Sequence, residues 1–297
     1  MNKEQSISFV VNKEDKSVKI VNSKDNDTYN KVIPGFYSID IKTSMFGTSV
    51  TICQEDIKIP FSAMTTVKTI LNVKELDVLF SEESLRIHEA MNIPAKIGYL
   101  LHGEPGSGKT TTMLAVSQYL IDKYGAISVE VDTVHEFKMA FEFIKACRTV
   151  TPSIMAVITL DECDEYMDDY ETEIKRLLDS NETPTNLVIL GATNYIDQIP
   201  DAIKNRQSRF KHVIDCSGLN SEADQVFEIF SAMNKSLATT DQLTIDQLNL
   251  ITLKGSGKTI DDLKHIFVDE SVRILLKAKA KPAKKMSVRK KMNVELV

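Results

Sequence analysis

Residues 97–111, IGYLLHGEPGSGKTT, constrain this chain more than any other stretch. A short apolar run leads into a glycine-rich turn, and the turn leads into TTTMLAVSQYL, a run with helical spacing. A buried strand that passes through glycine directly into a helix aims backbone N–H groups and the positive end of the helix dipole at one place. Gly103, Gly108, Lys109 and Thr110 meet the spacing G-x-x-x-x-G-K-[ST] in full, and that arrangement cradles a chain of phosphates. Gly103, Glu104, Pro105, Gly106 and Ser107, followed by Gly108, Lys109, Thr110 and Thr111, are therefore the candidate nucleotide-binding residues. Strand, loop and helix in this order place the chain in the α/β class, as a parallel sheet of the P-loop NTPase type.

The rest of the chain is consistent with that class. From residue 97 onward, strands are read at 97–102 (IGYLLH), 127–131 (ISVEV), 154–160 (IMAVITL), 186–193 (NLVILGAT) and 212–216 (HVIDC), with helical segments between them. Strands spaced by helices form βαβ units whose sheet is covered on both faces. Hydrophobic residues make up 42% of the chain, enough for a sizeable core. The expected organisation is a small β-rich N-terminal domain at 1–60, a helical linker at 61–96 and an α/β nucleotide-binding domain at 97–217. A C-terminal helical lid at 218–280 and a basic tail at 281–297 complete it.

Hydrolysis needs more than a phosphate cradle. The apolar run IMAVITL ends in Asp161 and Glu162, one carboxylate to hold Mg²⁺ through water and one to activate the attacking water. Lys109 is expected to reach the β- and γ-phosphates of ATP, with the Thr110 hydroxyl as a second Mg²⁺ ligand. Asn194 follows the run NLVILGAT and is placed to orient the attacking water. The stretch IPDAIKNRQSRF then supplies Arg206 and Arg209. A second glycine stretch, KGSGKTI at 254–260, fails as a phosphate loop, because Thr252 stands where the first glycine is required and no apolar strand precedes it.

In this order the residues resemble the AAA+ family of ring-forming ATPases over roughly residues 94–276. The resemblance places Walker A at 103–110, Walker B at 155–162, sensor 1 at Asn194 and an arginine-finger region at 201–210. The stretch ATNYIDQIPDAIKNRQSRF is similar to that of the AAA subgroup, whose paired arginines reach into the neighbouring subunit's site. By the same analogy GSGKTIDDL lies where the lid closes over the nucleotide, with Lys258 a candidate phosphate contact. The resemblance implies a homo-oligomer, expected as a hexameric ring, that acts on a protein or nucleoprotein partner.

Two departures qualify that picture. Glu104 stands where the family usually has proline, and VEVDTVHEFKMAFEF contains no aromatic–hydrophobic–glycine triplet of the kind that lines a translocating pore. Phe137 is read as a core residue by its spacing with Met139, Phe141, Phe143 and Ile144. A clamp-loader-like role is the alternative, since KNRQSRF partly matches that group's finger and the tail 277–297 carries eight basic residues against one acidic residue, which suits nucleic acid. DECD also fits the box of DExD helicases, but no second domain of ~150 residues follows. The acidic run 161–173 beyond Asp161 and Glu162 is read as a solvated surface. The four cysteines have neither disulfide nor metal spacing, and no apolar run is long enough to span a membrane, so a cytoplasmic chain is expected.

Overall fold

The computed structural model describes residues 6–12, 17–22, 32–44, 47–57, 73–179, 184–206, 208–216 and 223–280. The basic tail 281–297 and residues 61–72 of the expected linker lie outside the described residues.

Nine strands form one sheet in the order β2-β1-β4-β3-β6-β7-β8-β5-β9. They are β1 (Ser6–Asn12), β2 (Ser17–Asn22), β3 (Gly35–Ser44), β4 (Gly47–Glu55), β5 (Lys96–His102), β6 (Ile127–Val131), β7 (Ala156–Leu160), β8 (Leu187–Thr193) and β9 (His212–Asp215). From β6 to β9 every pairing is parallel. Parallel strands covered on both faces must be apolar throughout, and β7 and β8 are buried at every position.

The two faces sort by the period of two. Ile97, Tyr99 and Leu101 of β5 point into one core layer with Leu76, Met113, Val116 and Leu120. Leu100, with Ile158 and Leu160 of β7, points into the opposite layer with Phe137, Phe141 and Ile144. The first layer is covered by α1 (Val73–Leu79) and α3 (Lys109–Tyr124), and the second by α4 (Val134–Val150) and α6 (Glu171–Asp179). Between α1 and α3 the chain forms α2 (Glu82–Ala90), and α5 (Asp164–Met167) and α7 (Asp201–Lys204) are single turns beside the sheet.

Residues 1–60 are expected as a domain of their own, and here the structure differs. Gly35–Ser38 of β3 pair in parallel with Ile127–Glu130 of β6, so the N-terminal strands extend the nucleotide-binding sheet. Tyr37, Ile39 and Ile52 are buried in the same layer as Phe143 and Ile144, and the Tyr37 and Phe143 rings lie 5.4 Å apart. The alternation in the sequence marks half-buried strands but carries no information on which edge they join.

After β9 come α8 (Ala223–Lys235), α9 (Ile245–Gly255) and α10 (Ile260–Ala280). They close on Val226, Phe230, Leu248, Ile251, Leu263 and Phe267, a separate small core. Thr244 and Gln247 form a full capping box at the start of α9. Buried Asn234 ties α8 to the turn before α9, donating to the Leu243 carbonyl at 2.9 Å and accepting from the Leu243 N–H at 2.7 Å. Among the described residues no helix is long and apolar enough to cross a membrane.

Candidate nucleotide-binding site

Strand β5 ends at His102 and α3 begins at Lys109, so the glycine loop joins them directly. Gly108 has φ +92°, and a Cβ built there would lie 2.4 Å from Ile260 Cδ1. Only glycine allows both that backbone and that approach. The lid is therefore seated on the loop: Ile260 packs over Gly108, and the Asp261 N–H donates to the Gly106 carbonyl at 3.3 Å.

Lys109 is 7% exposed, and its ammonium donates to the carbonyls of Gly103 at 2.9 Å and Glu104 at 3.0 Å and to Ser107 Oγ at 3.4 Å. Burial lowers its pKa, opposed by Cys216 and by the carboxylates of Asp161, Asp164 and Glu162. A cation that holds three neutral oxygens at a cavity wall is poised to exchange them for phosphate oxygens, which are the stronger partners.

Thr110 Oγ1 donates to Asp161 Oδ2 at 2.7 Å. Hydroxyl and carboxylate meet at one point as hard oxygen donors, which suits Mg²⁺ bound mainly by a nucleotide and water. Among the described residues no group of three or more His, Cys, Asp or Glu could hold a metal by itself. One carboxylate with one hydroxyl fits a metal that arrives with its phosphates.

Glu162 follows with φ +45°, a left-handed backbone that turns its side chain away from the strand direction. Asp161, Glu162, Thr193, Asn194, Lys109 and Thr110 all line one cavity of about 250 Å³. Parallel strands bring this about: β7 and β8 both finish at the edge where the glycine loop leaves β5.

The arginines stand apart from that cavity. Arg209 is 5% exposed and its Nε donates to both Asp179 oxygens at 3.1 Å, with a further ion pair through Nη2 and a donation from Nη1 to the Ala202 carbonyl. Arg206 is mostly exposed, at 63%, and reaches Asp179 Oδ2 at 2.9 Å through one nitrogen only. The two arginines expected as a pair thus occupy different environments: Arg209 is built into the subunit, and Arg206 is presented at its surface.

The lid lysines differ in the same way. Lys258 is exposed in the turn before α10 and does not line the cavity. Lys264 lines it, together with Ile260 and Asp261. The Thr259 and Asp262 side chains each accept from the other's backbone N–H, at 3.2 and 3.3 Å, and this cap sets the first turn of α10. Residues four apart then share a face, so the turn that seats Ile260 brings Lys264 with it.

The connection from β6 to α4 is only Asp132 and Thr133. Phe137 is fully buried and packs edge-on against Phe141, with ring centroids 5.0 Å apart. The acidic run is solvent-facing: Asp164, Glu165, Asp168 and Asp169 line an open hollow of about 710 Å³ with Asp197 and Asp201.

Residues 99–217 match the family model described as "ATPase family associated with various cellular activities (AAA)". This segment is similar to the AAA family of ATPases. The AAA match covers the segment that carries the loop, both strand-end carboxylates, Asn194 and the two arginines. Among curated relatives, the chain is similar to replication factor C subunit 3 of Oryza sativa subsp. japonica, at 22% identity over 58% of this chain and 56% of that one. A putative replication factor C small subunit of Acanthamoeba polyphaga mimivirus is 27% identical over 58% of this chain and 44% of its own length. The 26S proteasome regulatory subunit 8 homolog of Schizosaccharomyces pombe is 27% identical over 67% of this chain and 51% of its own length. The chain spans about half the length of these relatives.

Sequence reasoning missed Lys264, Ile260 and Thr193 as parts of this AAA site. For the first two a signal existed: TIDD reads as a helix start, and one turn further on stands a cation. Thr193 has no such signal, because a threonine at a strand end is ordinary.

Proposed function

We propose that this ATPase binds Mg·ATP in the cavity between loop and lid and works in an oligomer, expected as a hexameric ring of like subunits. Hydrolysis would be coupled to remodelling a protein or nucleoprotein partner. The observation that carries the reading is one cavity lined by Lys109, Thr110, Asp161, Glu162 and Asn194, with Arg206 exposed outside it.

In this reading the loop amides and Lys109 hold the β- and γ-phosphates, with Lys264 approaching from the lid. Thr110 and Asp161 would hold Mg²⁺, which when bound neutralises phosphate charge. Glu162 accepts the proton of the attacking water, which Asn194 orients. Charge that develops on the γ-phosphate calls for a further cation, and an exposed Arg206 suits delivery to a neighbouring subunit's site. Arg209, held by Asp179, is assigned to keeping that segment in place.

Remodelling without threading suits the two-residue β6–α4 connection and the buried Phe137, which leave no aromatic side chain there to grip a strand of substrate. A second reading, a clamp-loader-like subunit acting at DNA, is favoured by the relatives named replication factor C subunits. The test is subunit mixing. Arg206→Ala and Glu162→Gln should each bind ATP and lose most turnover, and the mixture should recover activity where intact Glu162 meets intact Arg206 from its neighbour. Absence of recovery in rings shown by labelled protomers to exchange would refute the shared site. Stimulation of the wild type by primed DNA would favour the clamp-loader reading.

A further inference from the structure

The geometry points to Thr193 and Asp164 as a positioning pair that holds the sensor strand against the general-base turn, and so sets the separation of Asn194 and Glu162. The inference rests on the reading of Glu162 as base and adds two residues to which that reading gives no role.

Thr193 is the last residue of β8, 1% exposed, and its hydroxyl donates to Asp164 Oδ1. The same oxygen accepts from the Tyr195 N–H at 2.9 Å. One hydroxyl thus brackets Asn194, bonded through its own residue on one side and through Tyr195 on the other. Asp164 sits two residues beyond Glu162 in the first turn of α5. Between them the Cys163 N–H donates to the Ala192 carbonyl at 2.9 Å. Strand β8 and the turn after β7 are therefore joined twice, once by backbone and once by the Thr193–Asp164 bond, each within two residues of the working side chains.

Glu162 has a reason to need that support. Its φ of +45° is a conformation that a residue with a Cβ keeps only when its surroundings hold it there. The Glu165 N–H bonded to the Glu162 carbonyl at 3.0 Å closes the turn from below, and the Thr193 clip holds it from the side. A hydrogen bond to a carboxylate is stronger and more directional than one between neutral groups, so this clip resists the drift that a free loop would show. Misplacement of a base or a water-orienting amide by a fraction of an ångström lowers the rate of the chemical step while leaving ground-state binding intact.

The pair makes a merely structural role distinguishable from a positioning one. Thr193→Val keeps shape and removes the hydroxyl, Thr193→Ser keeps the hydroxyl, and Asp164→Ala removes the acceptor from a half-buried position on the first turn of α5. Steady-state ATPase assays on the full chain should give kcat lowered about tenfold in Thr193→Val and in Asp164→Ala, with KM for ATP within about twofold. Thr193→Ser should stay within about threefold of wild type, and the double variant should fall no further than the worse single one. The inference is overturned if kcat is unchanged in both single variants, if KM rises in step with the loss of kcat, if Thr193→Ser falls with Thr193→Val, or if the losses multiply. Should Thr193→Val fail to fold, Asp164→Ala and Thr193→Ser decide by the same criteria. Glu162→Gln separates the two readings: if it is inactive and Thr193→Val and Asp164→Ala are normal, the clip alone is wrong, and if Glu162→Gln is fully active, the base assignment falls with it.

Discussion

Lys264 and Lys258 carry the same charge on the same lid, and only one of them faces the nucleotide cavity. The difference is rotational: Lys258 precedes the helix, while Lys264 lies four residues beyond Ile260, which is fixed against Gly108. An ionic contact from a partly exposed side chain is worth roughly 1 kcal/mol. Lys264→Ala should therefore raise the dissociation constant for ATP about fivefold, and Lys258→Ala should leave it unchanged. Titration with a fluorescent ATP analogue checks both. Equal effects of the two substitutions would remove Lys264 from the site. Gly108→Ala belongs to the same scale, since a methyl there would force the end of the Ile260 side chain aside and strain a backbone at φ +92°.

At the scale of elements, the carboxylate at the end of α6 ties that helix to the stretch 206–209. Asp179 accepts from Arg209, from Arg206 and from Ser208 Oγ at 3.2 Å. Hydrogen bonds from Arg209 lower its pKa below the ordinary carboxyl range, with the nearby charges of Arg209 and Arg206 adding to the effect. Since the folded pKa lies below the unfolded one, the contribution to stability is complete above about pH 4 and is lost as the pH falls through the folded value. The backbone beside the pair is equally committed: a Cβ on Gly98 would meet the Arg209 carbonyl oxygen at 2.0 Å, so β5 and this segment are in contact. Removing a buried guanidinium takes that donor from the Ala202 carbonyl and leaves Asp179 with Arg206 and Ser208 alone, at a cost of about 2 kcal/mol for a carboxylate that keeps some solvent. Arg209→Ala should thus lower the melting temperature at pH 7 and by less at pH 3, whereas Arg206→Ala should change turnover with little loss of stability. Thermal melts at the two pH values test this. An Arg209→Ala protein with wild-type stability and no hydrolysis would restore Arg209 to the role of a finger.

The whole molecule is organised by a single sheet, and the N-terminal strands are part of it. Tyr37, Ile39 and Ile52 are at most 8% exposed, all against the layer beneath α4. Three large apolar side chains contribute on the order of 5 kcal/mol together by burial, a large share of the stability of an ordinary domain. Deleting residues 1–57 also bares the edge of β6, which then presents unpaired backbone groups. The truncated chain should melt at least about 10 °C lower, or associate through the open edge, as scattering or gel filtration would detect. A truncated chain with unchanged melting temperature and ATP affinity would show that the strands contribute nothing to the nucleotide-binding unit.

The sequence by itself determined the phosphate loop, the α/β class and the positions of Asp161, Glu162 and Asn194. These follow from local rules. A glycine loop with the spacing G-x-x-x-x-G-K-[ST] between strand and helix is shaped for phosphate, and residues just past parallel strands meet at one edge of the sheet. The tertiary structure decided what depends on partners distant in the chain. Strand alternation marks a face to be buried, yet β3 finds β6 across nearly a hundred residues, and nothing in either strand names the other. Two arginines three residues apart look alike until Asp179 takes one of them into the interior. The C-terminal helix α10 has several faces, and the one turned to the cavity is set by Ile260 fitting where Gly108 has no side chain. Spacing along the chain specifies local geometry, whereas packing between elements settles which neighbours that geometry will meet.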